Sequence, residues 1–295
     1  MTDNGWFQYA PLIVLIDRQK AGRFGRHSCL AAAVGLFALL ALLGATQAPA
    51  EEETEGQKAS KEVLGLFRPG AAPPTWFFRR LGKGEKTLEF SFATAEDKPV
   101  LGDWDNDGAD TVGVFRPSNA TWYLKNENSA GGHDISFAYA FSTDVPVVGD
   151  WDGDGDDTVG VFRPSNATWY LKNANQAGPQ DIRMVFGLTG DRPVVGDWNG
   201  DGKDGVGVFR PSNARWYLRN SLTSGGNEIP SFAFANPGDR PVTGDWDEDG
   251  LDTAGVFRPG NATWYFRNSF TSGPADETQV FGSSDDLPIV GRFTW

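Results

Sequence analysis

"GDWDGDGDDTVGVFRPSNATWYLKN", residues 149–173, decides the fold, because nearly the same words recur along the chain. Phe-Arg-Pro stands at 67–69, 115–117, 162–164, 209–211 and 257–259, a period of 47–48 residues. Gly-Asp-Trp stands at 102–104, 149–151, 196–198 and 244–246, with a degenerate fifth copy, Gly291-Arg292-Phe293. Within a unit, "VGVFRP" and "TWYLKN" flank "PSNA" and predict a hairpin. A further strand is expected in the variable region ("ISFAYAF", 135–141; "IRMVFG", 182–187). Another is "PVVGDW", whose proline at the strand start removes no needed ladder donor. Four short strands in about 47 residues make one blade of a β-propeller.

The units begin at "VLGLFRPG" (63–70) and end at "PIVGRFTW" (288–295), so the last strand is an orphan and the first unit lacks one. A linear stack would leave two open sheet edges, which invite aggregation. A ring removes both if strand 288–293 pairs beside 63–69. The expectation is an all-β, five-bladed β-propeller over 63–295, closed by pairing of its N- and C-terminal repeat segments.

The 295 residues carry 39 acidic and 26 basic side chains, a net charge of −13. That balance argues against nucleic acid, which needs a basic face. Arg23 and Arg26 precede an apolar run, Leu30 to Leu43, and Ala48-Pro49-Ala50 offers a small-residue cleavage site. The expectation over 1–50 is a secretory signal peptide with an N-terminal extension, with an uncleaved anchor as the alternative. The apolar run is shorter than the roughly 20 residues of a membrane span. Segment 51–62, "EEETEGQKASKE", is expected to be a disordered leader. The single cysteine, Cys29, lies in the signal, so the exported domain has no disulfide to staple it.

The loops "DWDNDGADT" (103–111), "DWDGDGDDT" (150–158), "DWNGDGKDG" (197–205) and "DWDEDGLDT" (245–253) place side-chain oxygens at positions 1, 3 and 5 and glycine at position 6. A hard cation takes six to eight oxygens, and a tight loop presents them from alternate residues. Position 12 of the first loop is Val114, where an EF-hand needs a bidentate Glu. The pattern resembles the FG-GAP/VCBS-type calcium-binding repeat of β-propellers such as those of integrin α-subunits. That resemblance covers about 63–295. It implies about four Ca²⁺ sites, held by Asp103, Asp105 and Asp107; by Asp150, Asp152 and Asp154; by Asp197, Asn199 and Asp201; and by Asp245, Asp247 and Asp249. The family's acid at position 9 is replaced here by Thr111, Thr158, Gly205 and Thr253. An acid recurs at position 8 instead, and Asp110, Asp157, Asp204 and Asp252 are counted with the ligands. The alternative is a solvated turn in which Asp caps its own backbone. At the fifth junction Arg292 stands where the first Asp would be, and no acid cluster follows.

Arg68, Arg116, Arg163, Arg210 and Arg258 recur beside Trp76, Trp122, Trp169, Trp216 and Trp264 on the next strand. They are read as an Arg–Trp brace, or else as a repeated sugar-binding cleft. The Asn of "PSNA" is expected at the turn, where Asn tolerates the left-handed conformation. His133 sits in a variable stretch, and no nucleophile–base set is apparent, so the chain reads as non-catalytic. The overall expectation is a secreted or cell-surface, monomeric, calcium-stabilised binding or adhesion module. It would have no membrane span after signal cleavage and no nucleic-acid partner, and would take an extracellular protein or glycan through its variable loops. A carbohydrate-active enzyme with axial carboxylates, or a purely structural surface protein, are the alternatives.

Overall fold

The computed structural model describes residues 61–81 and 87–293. The expected signal (1–50) and residues 51–60 of the expected leader lie outside them. Twenty strands form five antiparallel sheets of four. The innermost strands are β4 (Lys98–Gly102), β8 (Val145–Gly149), β12 (Arg192–Gly196), β16 (Arg240–Gly244) and β20 (Leu287–Phe293). Next come β5 (Thr111–Arg116), β9 (Thr158–Arg163), β13 (Gly205–Arg210), β17 (Thr253–Arg258) and β1 (Lys61–Arg68). The third strands are β6 (Thr121–Leu124), β10 (Thr168–Leu171), β14 (Arg215–Arg219), β18 (Thr263–Phe266) and β2 (Thr75–Arg80). Outermost are β7 (Ile135–Ala138), β11 (Ile182–Val185), β15 (Ile229–Ala233), β19 (Glu277–Val280) and β3 (Thr87–Phe90).

Each innermost strand lies beside the next, from β4 through β8, β12 and β16 to β20 and back to β4. This is a five-bladed β-propeller. Ring closure is covalently split: β20 pairs antiparallel with β1, from Lys61 opposite Phe293 to Phe67 opposite Leu287. The strand begins two residues earlier than the sequence reading placed it, so Lys61 and Glu62 belong to the blade and not to the leader. Glu62 is buried there.

Burial follows from the stacking of sheets around an axis. Strands β5, β9, β13 and β17 are buried at every position before their final arginine, because blades cover both faces. Outer strands alternate or lie exposed, and β19 carries Val280 into solvent. The five tryptophans of the third strands are the largest fully buried side chains. Their indole N–H groups donate to the carbonyls of Phe92, Tyr139, Phe186, Phe234 and Phe281, which satisfies an otherwise costly buried donor. No helix among the described residues is long and apolar enough to cross a membrane.

Candidate metal centre

The loop from innermost to second strand must reverse direction within nine residues, and two positions take positive φ. Position 4 is Asn106 (59°), Gly153 (78°), Gly200 (73°) and Glu248 (62°), and position 6 is glycine each time. The reversal gathers oxygens. One carboxylate oxygen from each of Asp103, Asp105 and Asp107 lies within 4.8 Å of the others, and the same holds for Asp150, Asp152 and Asp154 and for Asp245, Asp247 and Asp249. In the third loop Asn199 donates its amide to Asp201 Oδ2 at 3.0 Å. Position 1 is buried and folds its own loop. Asp103 accepts the N–H groups of Asp107 and Gly108 at 3.0 and 2.9 Å, and Asp245 those of Asp249 and Gly250 at the same distances. The Asx-type capping and the gathering of oxygens are therefore one geometry, not competing ones. Burial raises the carboxyl pKa of Asp105, Asp197, Asp245 and Asp247, and neighbouring acids raise those of Asp105 and Asp247 further. Three carboxylates on a hard-oxygen loop fit a divalent cation of the Ca²⁺ kind.

The position-8 acids have a task the sequence did not disclose. Asp157 accepts the peptide N–H of Asp103 at 2.9 Å and returns its own N–H to the Asp103 carbonyl at 2.7 Å. Asp204 does the same to Asp150, and Asp252 to Asp197. Asp110 does it to Arg292, at 2.6 and 2.7 Å. Around the ring each acid thus clasps position 1 of the preceding blade. The fifth place is filled by Glu62, which accepts the N–H of Asp245 at 3.3 Å. Glycine precedes position 1 because the clasp comes so close. A Cβ on Gly149 would lie 2.8 Å from Asp204 Oδ2, and one on Gly291 2.8 Å from Asp110 Oδ2. Position 9 is likewise occupied by structure. The Thr158 hydroxyl donates to the Lys172 carbonyl at 2.6 Å, and Thr111 to Lys125 at 2.7 Å.

The Phe-Arg-Pro arginines do not brace tryptophan. Phe115 sits opposite Trp122 in the β5–β6 register, while Arg116 sits opposite Thr121, on the other face. There the guanidinium lies 4.5 Å from the Tyr123 ring centroid, and Arg163, Arg210 and Arg258 lie 4.2–4.4 Å from Tyr170, Tyr217 and Tyr265. Each arginine also makes a bidentate pair with a buried acid 19 residues upstream: Asp97 with Arg116, Asp144 with Arg163, Asp191 with Arg210 and Asp239 with Arg258. Arg68 pairs across the closure with Asp286. These acids cap the turn that enters each blade, as when Asp144 accepts the Phe141 N–H at 2.9 Å. The fixed 19-residue spacing was the available signal. At the hairpin it is alanine that is left-handed, Ala120, Ala167, Ala214 and Ala262 having φ of 50–53°. The preceding Asn serves by its side chain: Asn119 Oδ1 accepts the Thr121 N–H, and its amide donates to the Tyr123 hydroxyl.

The variable loops between third and outer strands share a frame. Lys125, Lys172, Arg219 and Arg267 each donate to a carbonyl seven residues on, at Gly132, Pro179, Gly226 and Pro274. An acid at the far end accepts the N–H of the residue after the peg, as Asp134 does from Asn126 and Asp181 from Asn173. His133, in the first of them, meets Tyr123 edge-on at 4.9 Å.

No family model matches the chain. Neither does any curated protein. A solved structure described as "Crystal structure of BBS1N in complex with ARL6DN, soaked with lead" aligns with 70% of this chain at 10% identity and a TM-score of 0.37. The chain spans 61% of the length of that structure.

Proposed function

We propose that this chain is an exported β-propeller held by Ca²⁺ that serves as a binding or adhesion module for an extracellular protein or glycan. The observation that carries the reading is the density of buried negative charge at the loop end. Glu62, Asp103, Asp110, Asp150, Asp157, Asp197, Asp204, Asp245 and Asp252 are all buried, and one buried arginine, Arg292, stands among them. Uncompensated buried charge is expensive, and bound cations relieve it. Asp103, Asp105 and Asp107, and their counterparts in the other three loops, would hold the ions; the position-8 acids would hold neighbouring blades. When bound, Ca²⁺ supplies charge compensation and a rigid turn, the role a disulfide plays in other exported domains. Recognition is assigned to the variable loops, whose pegged frame presents differing side chains from equivalent places on each blade. The signal-like pattern of residues 23–50 supports export.

Each site stabilises by about 2.7 kcal/mol when free metal is about a hundredfold above its dissociation constant. Calcium is expected to raise the melting temperature of the protein by many degrees and EDTA to reverse it. An unchanged melting curve removes the calcium reading. A glycan array run with and without calcium, beside a polysaccharide turnover assay, separates lectin, protein-binding and enzyme readings.

A further inference from the structure

The ring of clasps contains ten positions: five that receive (Asp103, Asp150, Asp197, Asp245 and Arg292) and five acids that hold them. Nine are acidic. The tenth, Arg292, falls where the sequence breaks its own repeat. Its side chain reaches back to the preceding blade, with Nη2 3.3 Å from Asp245 Oδ2, and sideways within its own sheet, with Nε 3.4 Å from Glu62 Oε1. The three side chains are 9%, 0% and 2% exposed, so solvent screens these contacts little. Asp245 is position 1 of the fourth loop, whose acids Asp247 and Asp249 lie with it in one cluster. In the other loops the residue at the place of Arg292 in the following blade is Asp150, Asp197 or Asp245. Two further oxygens of this neighbourhood, Glu62 Oε2 and Asp252 Oδ1, are buried without a hydrogen-bond partner, and burial raises the pKa of both carboxyls well above the ordinary range.

We propose that Arg292 is a built-in counter-ion that closes the ring without metal and makes the fourth loop a weaker cation site than the first and second, which have the same three aspartates. The inference rests on the calcium reading. A guanidinium already seated on Asp245 neutralises part of that carboxylate's field and repels an incoming divalent ion from the same side. The first two loops gather the same three aspartates with no guanidinium beside them, and the third has Asn199 in place of one aspartate. The closing junction, the only one not made by continuous chain, keeps a permanent cation, so calcium loss loosens the loops before it opens the ring.

The test is a Ca²⁺ titration of the full-length protein by calorimetry and equilibrium dialysis, with Asp249→Ala to mark the fourth loop and Asp107→Ala and Asp154→Ala to mark the first and second. The step that Asp249→Ala deletes is expected to be at least about tenfold weaker than the steps deleted by Asp107→Ala and Asp154→Ala, a ratio set by one added like charge at close range. Arg292→Gln should strengthen the fourth-loop step about tenfold, leave the first and second within about twofold, and lower the melting temperature in EDTA; Arg292→Lys should keep the fourth-loop step weak. A fourth-loop step as tight as the first and second overturns the proposal while the calcium reading stands. Absence of any calcium binding by the unaltered protein removes both. Should Arg292→Gln not fold, the unaltered protein and the three loop variants decide between these outcomes.

Discussion

Arg163 shows how much a single side chain is asked to do. It pairs through two nitrogens with Asp144, stacks on Tyr170, and carries Phe141 on its other face at 4.2 Å. Removing it leaves the buried Asp144 carboxylate without its bidentate partner. Arg163→Leu is expected to lower stability by about 3 kcal/mol. Arg68→Leu should lose less, because the Arg68 side chain is 38% exposed against 20% for Arg163. Urea denaturation of the two variants reads the difference, and equal losses would contradict the burial argument. Lys98 gives the pH counterpart. Burial lowers its pKa from 10.5 to about 8, although its ammonium donates to the Asp144 carbonyl at 2.7 Å. Between those two values the unfolded chain still binds the proton and the native protein does not, so stability rises with pH across the window. Lys98→Val copies the side chain found at Val145 of the next blade. The stability of the unaltered protein relative to this variant should climb from pH 7.5 to about 10. A flat difference would show that the ammonium is not buried in the native state.

At the scale of the element, the decisive piece is β20. Its seven residues supply the innermost strand of a blade whose other three strands lie at the opposite end of the described chain. It also delivers Arg292 to Asp110, Asp245 and Glu62. Deleting residues 287–295 exposes the edge of β1, with Leu64 and Leu66 on it, and removes one partner from each flanking innermost strand. The shortened chain is expected to lose its single cooperative melt or to self-associate through that edge. Size-exclusion chromatography with circular dichroism reads this, and a monomer with an unaltered melt would mean that closure contributes nothing. Elements of this kind were legible in advance. Repeated "VGVFRP" and "TWYLKN" specify strands wherever they occur, and an orphan "PIVGRF" has one place to go. The start of β1 was not, because Glu62 reads as a solvated polar residue until a partner strand and a clasped peptide bury it.

Across the whole molecule, blade-to-blade contacts decide what the acids are for. The sequence by itself determined the period, the number of blades, the order of strands within each, the break at Arg292 and the grouping of oxygens at positions 1, 3 and 5, since all of these are local words repeated in register. Tertiary structure decided the rest. Asp157 and Asp103 are 54 residues apart, and nothing in either loop says that one holds the peptide of the other. Glu62 takes the same part at the closure; it stands five residues before Phe67, as Asp110 does before Phe115, and so is the fifth acid of that series. Likewise Arg116 turns from Trp122 to Asp97 and Tyr123, because strand alternation puts adjacent residues on opposite faces. A repeat fixes each unit's backbone through nearest neighbours along the chain. Which acid gathers with its own loop and which reaches the neighbouring blade depends on distances across sheets, which exist only once the ring is closed.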